Sequence, residues 1–421
     1  MNSKRILVSG PISVVRLEGL INSVKKVIYI FMDVHMSANV QTKCNTQSSD
    51  IIDYLHNNFK ILDKSNKMYD FFLETSPSFQ LRDFSCQEKN NGKLSYLLQL
   101  RDFFQKEITY NKDINKIFIP LAFKKVRFHY IDIRDILLYS IDYYNLQLYK
   151  ILNTKSELIS TDDYTNVKKY YCIITLEFKY VIDLLESNTK SHNTTNVNYP
   201  NVTNRQNMFE DLPLYEKCGP HNSQTMNIIR KKMSYIIHKL VTKYNNDCVK
   251  NTIVKFIRDK ILPFANQILK NMIINCEKFQ SEKSNTGSIP KLNVKYVSNL
   301  LSATFKKMDM IFVYLVDMYF LRRFLDKSYI TNSIVYSGAM HSSNYINLLV
   351  NLFDFVITHR SGTGTETETD IKNINSNVKK CCNNSQQNII TDTDRTLQLF
   401  ISKESLYNQC SDLSSFPHNF S

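Results

Sequence analysis

Four short apolar runs in this chain each stop at residues able to move a proton or hold an ion. Val27-Ile28-Tyr29-Ile30-Phe31-Met32 runs into Asp33-Val34-His35. Tyr69-Asp70-Phe71-Phe72-Leu73 ends at Glu74, and Val126-Arg127-Phe128-His129-Tyr130-Ile131 ends at Asp132. Ser333-Ile334-Val335-Tyr336-Ser337 runs into Gly338-Ala339-Met340-His341. An imidazole oriented by a carboxylate can serve as a general base. Two imidazoles with two or three carboxylates can instead bind one divalent metal ion, which lowers the pKa of a bound water. Each residue alone has a plainer reading: Asp33 as a turn cap, His35 as a hydrogen-bonded rim residue. Their recurrence at strand ends, in a chain with only nine His, is what carries weight.

These groups meet only if their strands share one sheet edge. The runs are rich in β-branched and aromatic residues and lack polar alternation, the pattern of strands buried on both faces. Parallel strands of an open α/β sheet present all their carboxyl ends on one side, where such sheets build their sites. On that arrangement His35 and His341 are metal ligands or bases and Glu74 is a third ligand or the general base. Asp33 and Asp132 orient the histidines or complete the ligand shell, and Arg134 holds an anionic substrate group. The metal set is His35, Glu74, His341 and Asp33. Alternation places Arg127, His129 and Ile131 on one face of their strand and Phe128 and Tyr130 on the other.

The remaining chain supplies the scaffold. Residues 5–18 read as strand, turn at Pro11, strand, an antiparallel entry to the sheet. Asp50 caps a helix whose Ile51, Ile52, Leu55, Phe59 and Leu62 fall at helical spacing, and His56 lies beside that stripe as a packed surface residue. Residues 1–187 form the first part of an α/β domain, and 188–223 an Asn/Thr-rich flexible insertion with sequons at Asn193 and Asn201. Residues 224–328 form a helical layer or subdomain in which Met308, Met310 and Met318 fill the core. Residues 329–360 complete the α/β domain, and 361–421, low in hydrophobicity, read as a mostly disordered tail. The fold class is therefore α/β: a mixed, largely parallel sheet flanked by helices, with a helical insertion.

Composition narrows the functional classes. The 421 residues are 43% hydrophobic, which excludes wholesale disorder. The net charge of +14 suits an anionic partner, yet basic and acidic residues are interspersed. Nucleic acid stays open as a partner from charge alone, without a dedicated arm; Lys124-Lys125-Val126-Arg127 and Arg230-Lys231-Lys232 read as solvated faces. Nine Cys without a CxxC pair argue against a zinc finger and for reduced thiols in a cytosol-like compartment. The N-terminus has no signal-peptide pattern. The longest greasy run, 310–321, is short and contains Asp317, so it reads as a buried helix and no membrane span is expected. Host cytoplasm or virion is the expected location.

The order of the strand-end motifs resembles that of a superfamily containing Tiki-type metalloproteases, TraB proteins, erythromycin esterases and ChaN-type haem-uptake proteins. Its pattern is a strand into G-x-x-H, a strand ending in Glu, and a late strand into G-x-x-H. Gly338-Ala339-Met340-His341 matches the late motif and Glu74 the strand-final acid. The early motif reads Met32-Asp33-Val34-His35, with Met32 in the glycine's place. The resemblance implies a metal-dependent or His-based hydrolase of the peptidase or esterase kind. The phrases DVHMSANVQTKC, IDIRD and YSGAMHSSNY also resemble an uncharacterised family of mimivirus-like giant viruses. That likeness keeps a second expectation beside the hydrolase: a non-catalytic virion or host-interaction protein that retains the fold.

Overall fold

The computed structural model describes residues 5–36, 38, 44, 48–75, 95–107, 123–153, 160–190, 223–281, 294–361, 368–381, 389–400 and 409–420. The chain divides into two compact units, Met1–Asp132 with Tyr319–Ser421, and Ile133–Met318. The Asn/Thr-rich segment 191–222, with both sequons, lies outside the described residues, as does most of the polar loop after His35.

Among the described residues the strands belong to the first unit: β1 (Leu7–Ser9), β2 (Ser13–Ile21), β3 (Val24–Asp33), β4 (Ser49–Asp50), β5 (Tyr69–Leu73), β6 (Val126–Tyr130), β7 (Asn332–Gly338), β8 (Val356–Arg360) and β9 (Cys410–Asp412). Six of them form one sheet in the order β6-β5-β7-β3-β2-β8, and the other three a small sheet, β4-β1-β9. Strands β6, β5, β7 and β3 are parallel neighbours, while β2 pairs antiparallel with β3 and β8. The mixed, largely parallel sheet expected from the sequence is present. Strands β5 and β7 are buried at every position, as is β3 from Lys26 onward, which is why they read as continuous apolar runs without alternation.

One sheet face presents Tyr29, Phe31, Phe71, Leu73, Phe128, Ile334 and Tyr336 to the helices Ile51–Leu62 and Tyr96–Glu107. Asp50 caps the first of these, accepting from Ile52 N at 3.0 Å. Against the other face, Phe72 meets Phe320 with ring centroids 5.1 Å apart, and Phe320 meets Tyr345 of the helix Ala339–Phe353 at 4.3 Å. Lys26 is buried beside them. Its Nζ donates to Phe324 O, Lys327 O and Ile330 O at 3.0, 2.9 and 2.6 Å, satisfying carbonyls where a long helix ends.

Two expectations need correction. The tail forms helices Glu368–Cys381 and Ile389–Phe400, and β9 then pairs antiparallel with β1. Its few apolar residues are spent on anchoring: Phe420 meets Tyr29 at 5.0 Å and Tyr54 at 6.0 Å between centroids. A low average hydropathy conceals such isolated anchors. The thiols are also not all reduced, because Cys44 and Cys410 form a disulfide across 366 residues of sequence.

The second unit is helical. Thr161–Lys190 packs Val167, Ile174, Phe178, Val181 and Leu185 into its core, and Met308, Met310 and Met318 are buried there. Asp247–Phe256 continues through a π turn, Ile257–Ile261, into Leu262–Ser281. The wider turn lies just ahead of Pro263, whose missing N–H a regular helix would otherwise need. Among the described residues no helix is long and apolar enough to cross a membrane.

Candidate functional site at the carboxyl edge of the sheet

The parallel register sets Asp33 opposite Gly338 and Leu73 opposite Tyr336, so β3, β7 and β5 end almost level. The chain leaves β3 through His35, which adopts φ 55°. Left-handed backbone costs a non-glycine residue about 1 kcal/mol or more, so it persists only where surrounding contacts enforce it. His35 Nδ1 lies 3.1 Å from Asp33 Oδ2, and its Nε2 lies 3.7 Å from Glu74 Oε2. Glu74 Oε1 in turn lies 3.2 Å from His341 Nε2. Gly338 N donates to Glu74 Oε2 at 2.6 Å, so the same carboxylate receives the N-terminus of the helix Ala339–Phe353. Asp33, His35, Glu74 and His341, separated by up to some three hundred residues of sequence, are thus joined in one chain of ion pairs.

Electrostatics follow from that chain. Burial opposes the His35 charge, but the hydrogen bond to Asp33 and the nearby charge of Glu74 outweigh it and raise its pKa to about 9. At neutral pH the ring is an imidazolium. Burial alone would raise the Glu74 pKa; the charges of His341 and His35 beside it hold it well below the usual carboxylate range. Asp33 is fully buried, and its Oδ1 has no hydrogen-bond partner among the described residues. The site opens at His35, whose side chain is 40% exposed against 4% for His341 and 2% for Glu74.

Asp132 is buried one residue past Ile131, and its N–H donates to Thr75 O at 3.2 Å, beside the segment that follows Glu74. Arg134 belongs to the helical unit, where its charge acts on Asp309. For a metal, the donors are arranged around a carboxylate: both Nε2 atoms face Glu74 oxygens, and Asp33 stands on the Nδ1 side of His35. Among the described residues no group of three or more His, Cys, Asp or Glu side chains is placed to hold an ion.

A second buried cluster was not singled out from the sequence. Asp70 accepts from Arg127 Nε at 2.8 Å and lies 2.7 Å from His129 Nε2, while Arg323 Nη2 donates to His129 Nδ1 at 2.8 Å. Burial, with the neighbouring Arg323 and Arg127 charges, lowers the His129 pKa to about 4 despite Asp70. The alternation of β6, with Arg127 and His129 on one face, was the available signal; the Asp70 partner emerges only with the β5–β6 register.

The chain is similar to three proteins of Acanthamoeba polyphaga mimivirus named as uncharacterized: R161, 30% identical over 99% of this chain and 98% of the relative; R160, 30% identical over 98% and 97%; and R706, 29% identical over 98% and 97%. No solved structure matches it. The likeness to Tiki, TraB, erythromycin-esterase and ChaN proteins is carried by none of these comparisons. A family model described as a family of unknown function, DUF5847, matches residues 6–421, and the chain belongs to that family.

Proposed function

We propose that the chain is a hydrolase of ester or amide bonds whose centre is the cluster of His35, Glu74 and His341. The observation that carries this reading is the convergence of two imidazoles on one buried carboxylate at the carboxyl edge of a largely parallel sheet. At 3.7 Å from Glu74 Oε2, His35 Nε2 lies beyond hydrogen-bonding distance. Its N–H is available to a substrate oxygen, and its exposed edge gives access. Asp33 fixes the ring through Nδ1. As an imidazolium, His35 is suited to donate a proton to a leaving group or to stabilise a developing oxyanion, and not to the role of base expected from the sequence. Glu74, held ionised, accepts the proton of an attacking water, and His341 orients it.

The rival reading, a non-catalytic viral protein, is favoured by one contact: Glu74 Oε2 accepts Gly338 N–H and so also serves as a helix cap. A panel of carboxylic ester and peptide substrates, assayed with His35→Gln, Glu74→Gln and His341→Gln, separates the two. The proposal expects turnover that each substitution lowers about a hundredfold or more. It also expects the same rate after exhaustive chelation, with negligible metal in the purified protein. Absence of turnover across the panel, with Glu74→Gln lowering stability alone, establishes the rival.

A further inference from the structure

Two cysteines that take no part in the strand-edge site meet inside the helical unit. The helices Thr161–Lys190 and Leu262–Ser281 run antiparallel: Asn266 Nδ2 donates to Glu186 Oε1 at 2.9 Å, and Asn275 Nδ2 donates to Tyr171 Oη at 3.3 Å. Cys172 follows Tyr171 and Cys276 follows Asn275. Their thiols hydrogen bond to each other, and Cys276 Sγ donates to Thr175 Oγ1 at 3.5 Å. Both are half-buried, reachable by a small reagent yet held by helices that are fixed to each other at this level.

We propose that Cys172 and Cys276 form a reversible disulfide that locks these two helices together, made by exchange with a small disulfide such as oxidised glutathione. The two thiols differ in the way such an exchange requires. Cys172, as donor to the Cys276 sulfur, favours the Cys276 thiolate, whereas Cys172, so engaged and buried, keeps its proton. The Cys276 thiolate attacks one sulfur of oxidised glutathione, forming a mixed disulfide and expelling a glutathione thiolate. Cys172 then loses its proton and attacks the Cys276 sulfur, forming the Cys172–Cys276 bond and expelling the second glutathione thiolate. Two cysteine thiols are oxidised, one glutathione disulfide is reduced to two thiols, and the proton of each cysteine passes to an expelled thiolate.

The test treats the full chain with oxidised glutathione, alkylates the remaining thiols and maps peptides without reduction. The expected products are a Cys172–Cys276 cross-linked peptide beside Cys44–Cys410, and a thermal transition raised by about 5 to 10 °C, both reversed by dithiothreitol. Cys172→Ser should stop at a glutathione adduct on Cys276, with no rise in the transition. The proposal is overturned if both thiols remain alkylatable, or if each carries its own glutathione. Peptide mapping of the unmodified sequence does not depend on the variant folding.

Discussion

Gly338 has φ −58°, a conformation open to every L-residue, so what distinguishes it is the missing Cβ. A Cβ there would lie 2.5 Å from His35 Nε2. That nitrogen is the far end of a side chain able to rotate away, so the direct steric cost of Gly338→Ala should be below about 1 kcal/mol, with the loss of the His35 ion pair added to it. The displaced ring loses its approach to Glu74. NMR titration of His35 should then show its pKa falling from about 9 toward 6.5, and turnover should drop about a hundredfold, as misplacement by an ångström can cost. An unchanged His35 titration would refute this account of the glycine. The same residues fix a pH dependence. The His35 pKa is raised, so its stabilisation is complete below its unfolded value of 6.5 and is lost as pH rises through about 9. His129 acts oppositely: its native pKa of about 4 lies below the unfolded 6.5, so stability is lost as pH falls between those values. Urea midpoints from pH 4 to 10 should show both limbs. His35→Gln should flatten the alkaline limb, the shallower one because that side chain is partly exposed to solvent screening.

At the scale of elements, the sequence made β3, β5, β6 and β7 readable because burial on both faces replaces alternation by continuous apolar runs. It also placed Asp33, His35, Glu74 and His341 at strand ends. What it could not supply was strand order, since β7, nearly three hundred residues after β3, inserts between β3 and β5. Only that insertion brings Gly338 and His341 to the Asp33 and Glu74 termini. Lys26 was likewise not singled out: it stands at the head of an apolar run, yet it is buried and donates to three carbonyls, one of which, Lys327 O, also accepts from Ile330 N at 3.1 Å. Burial depresses its pKa to about 8 against the pull of Asp70 and Asp326. Lys26→Met removes the desolvation cost of the charge but takes the side-chain donor from Phe324 O and Ile330 O, while Lys327 O keeps the N–H of Ile330. The second effect is the larger, because each unmet buried acceptor costs about 1–3 kcal/mol, so the variant should lose roughly 3 kcal/mol in urea unfolding. A neutral or stabilising result would show that the carbonyls find water instead.

At the scale of the whole molecule, the end of the chain closes over its beginning. Strand β9 pairs with β1, Gly10 N donates to Gln409 O at 3.1 Å, Phe416 and Phe420 lie on Tyr29, and Cys44–Cys410 fastens the arrangement covalently. These links are not equivalent. The disulfide acts mainly by limiting the unfolded chain, and for a loop of 366 residues the chain-entropy estimate is about 6 kcal/mol as an upper value. The aromatic anchors act in the folded state, where Phe420→Ala should cost about 3–5 kcal/mol. Cys44→Ser should therefore lower the urea midpoint markedly while leaving the far-ultraviolet circular dichroism of the folded protein unchanged. A chain ending at Phe400 loses pairing, anchors and staple together and uncovers the sides of Tyr29 and Phe31 on the sheet and of Tyr54 on the helix Ile51–Leu62 that Phe420 meets; it should aggregate on expression. If the truncated chain were instead monomeric and as stable as the full one, the last strand and its two phenylalanines would be ornaments on a sheet that closes without them.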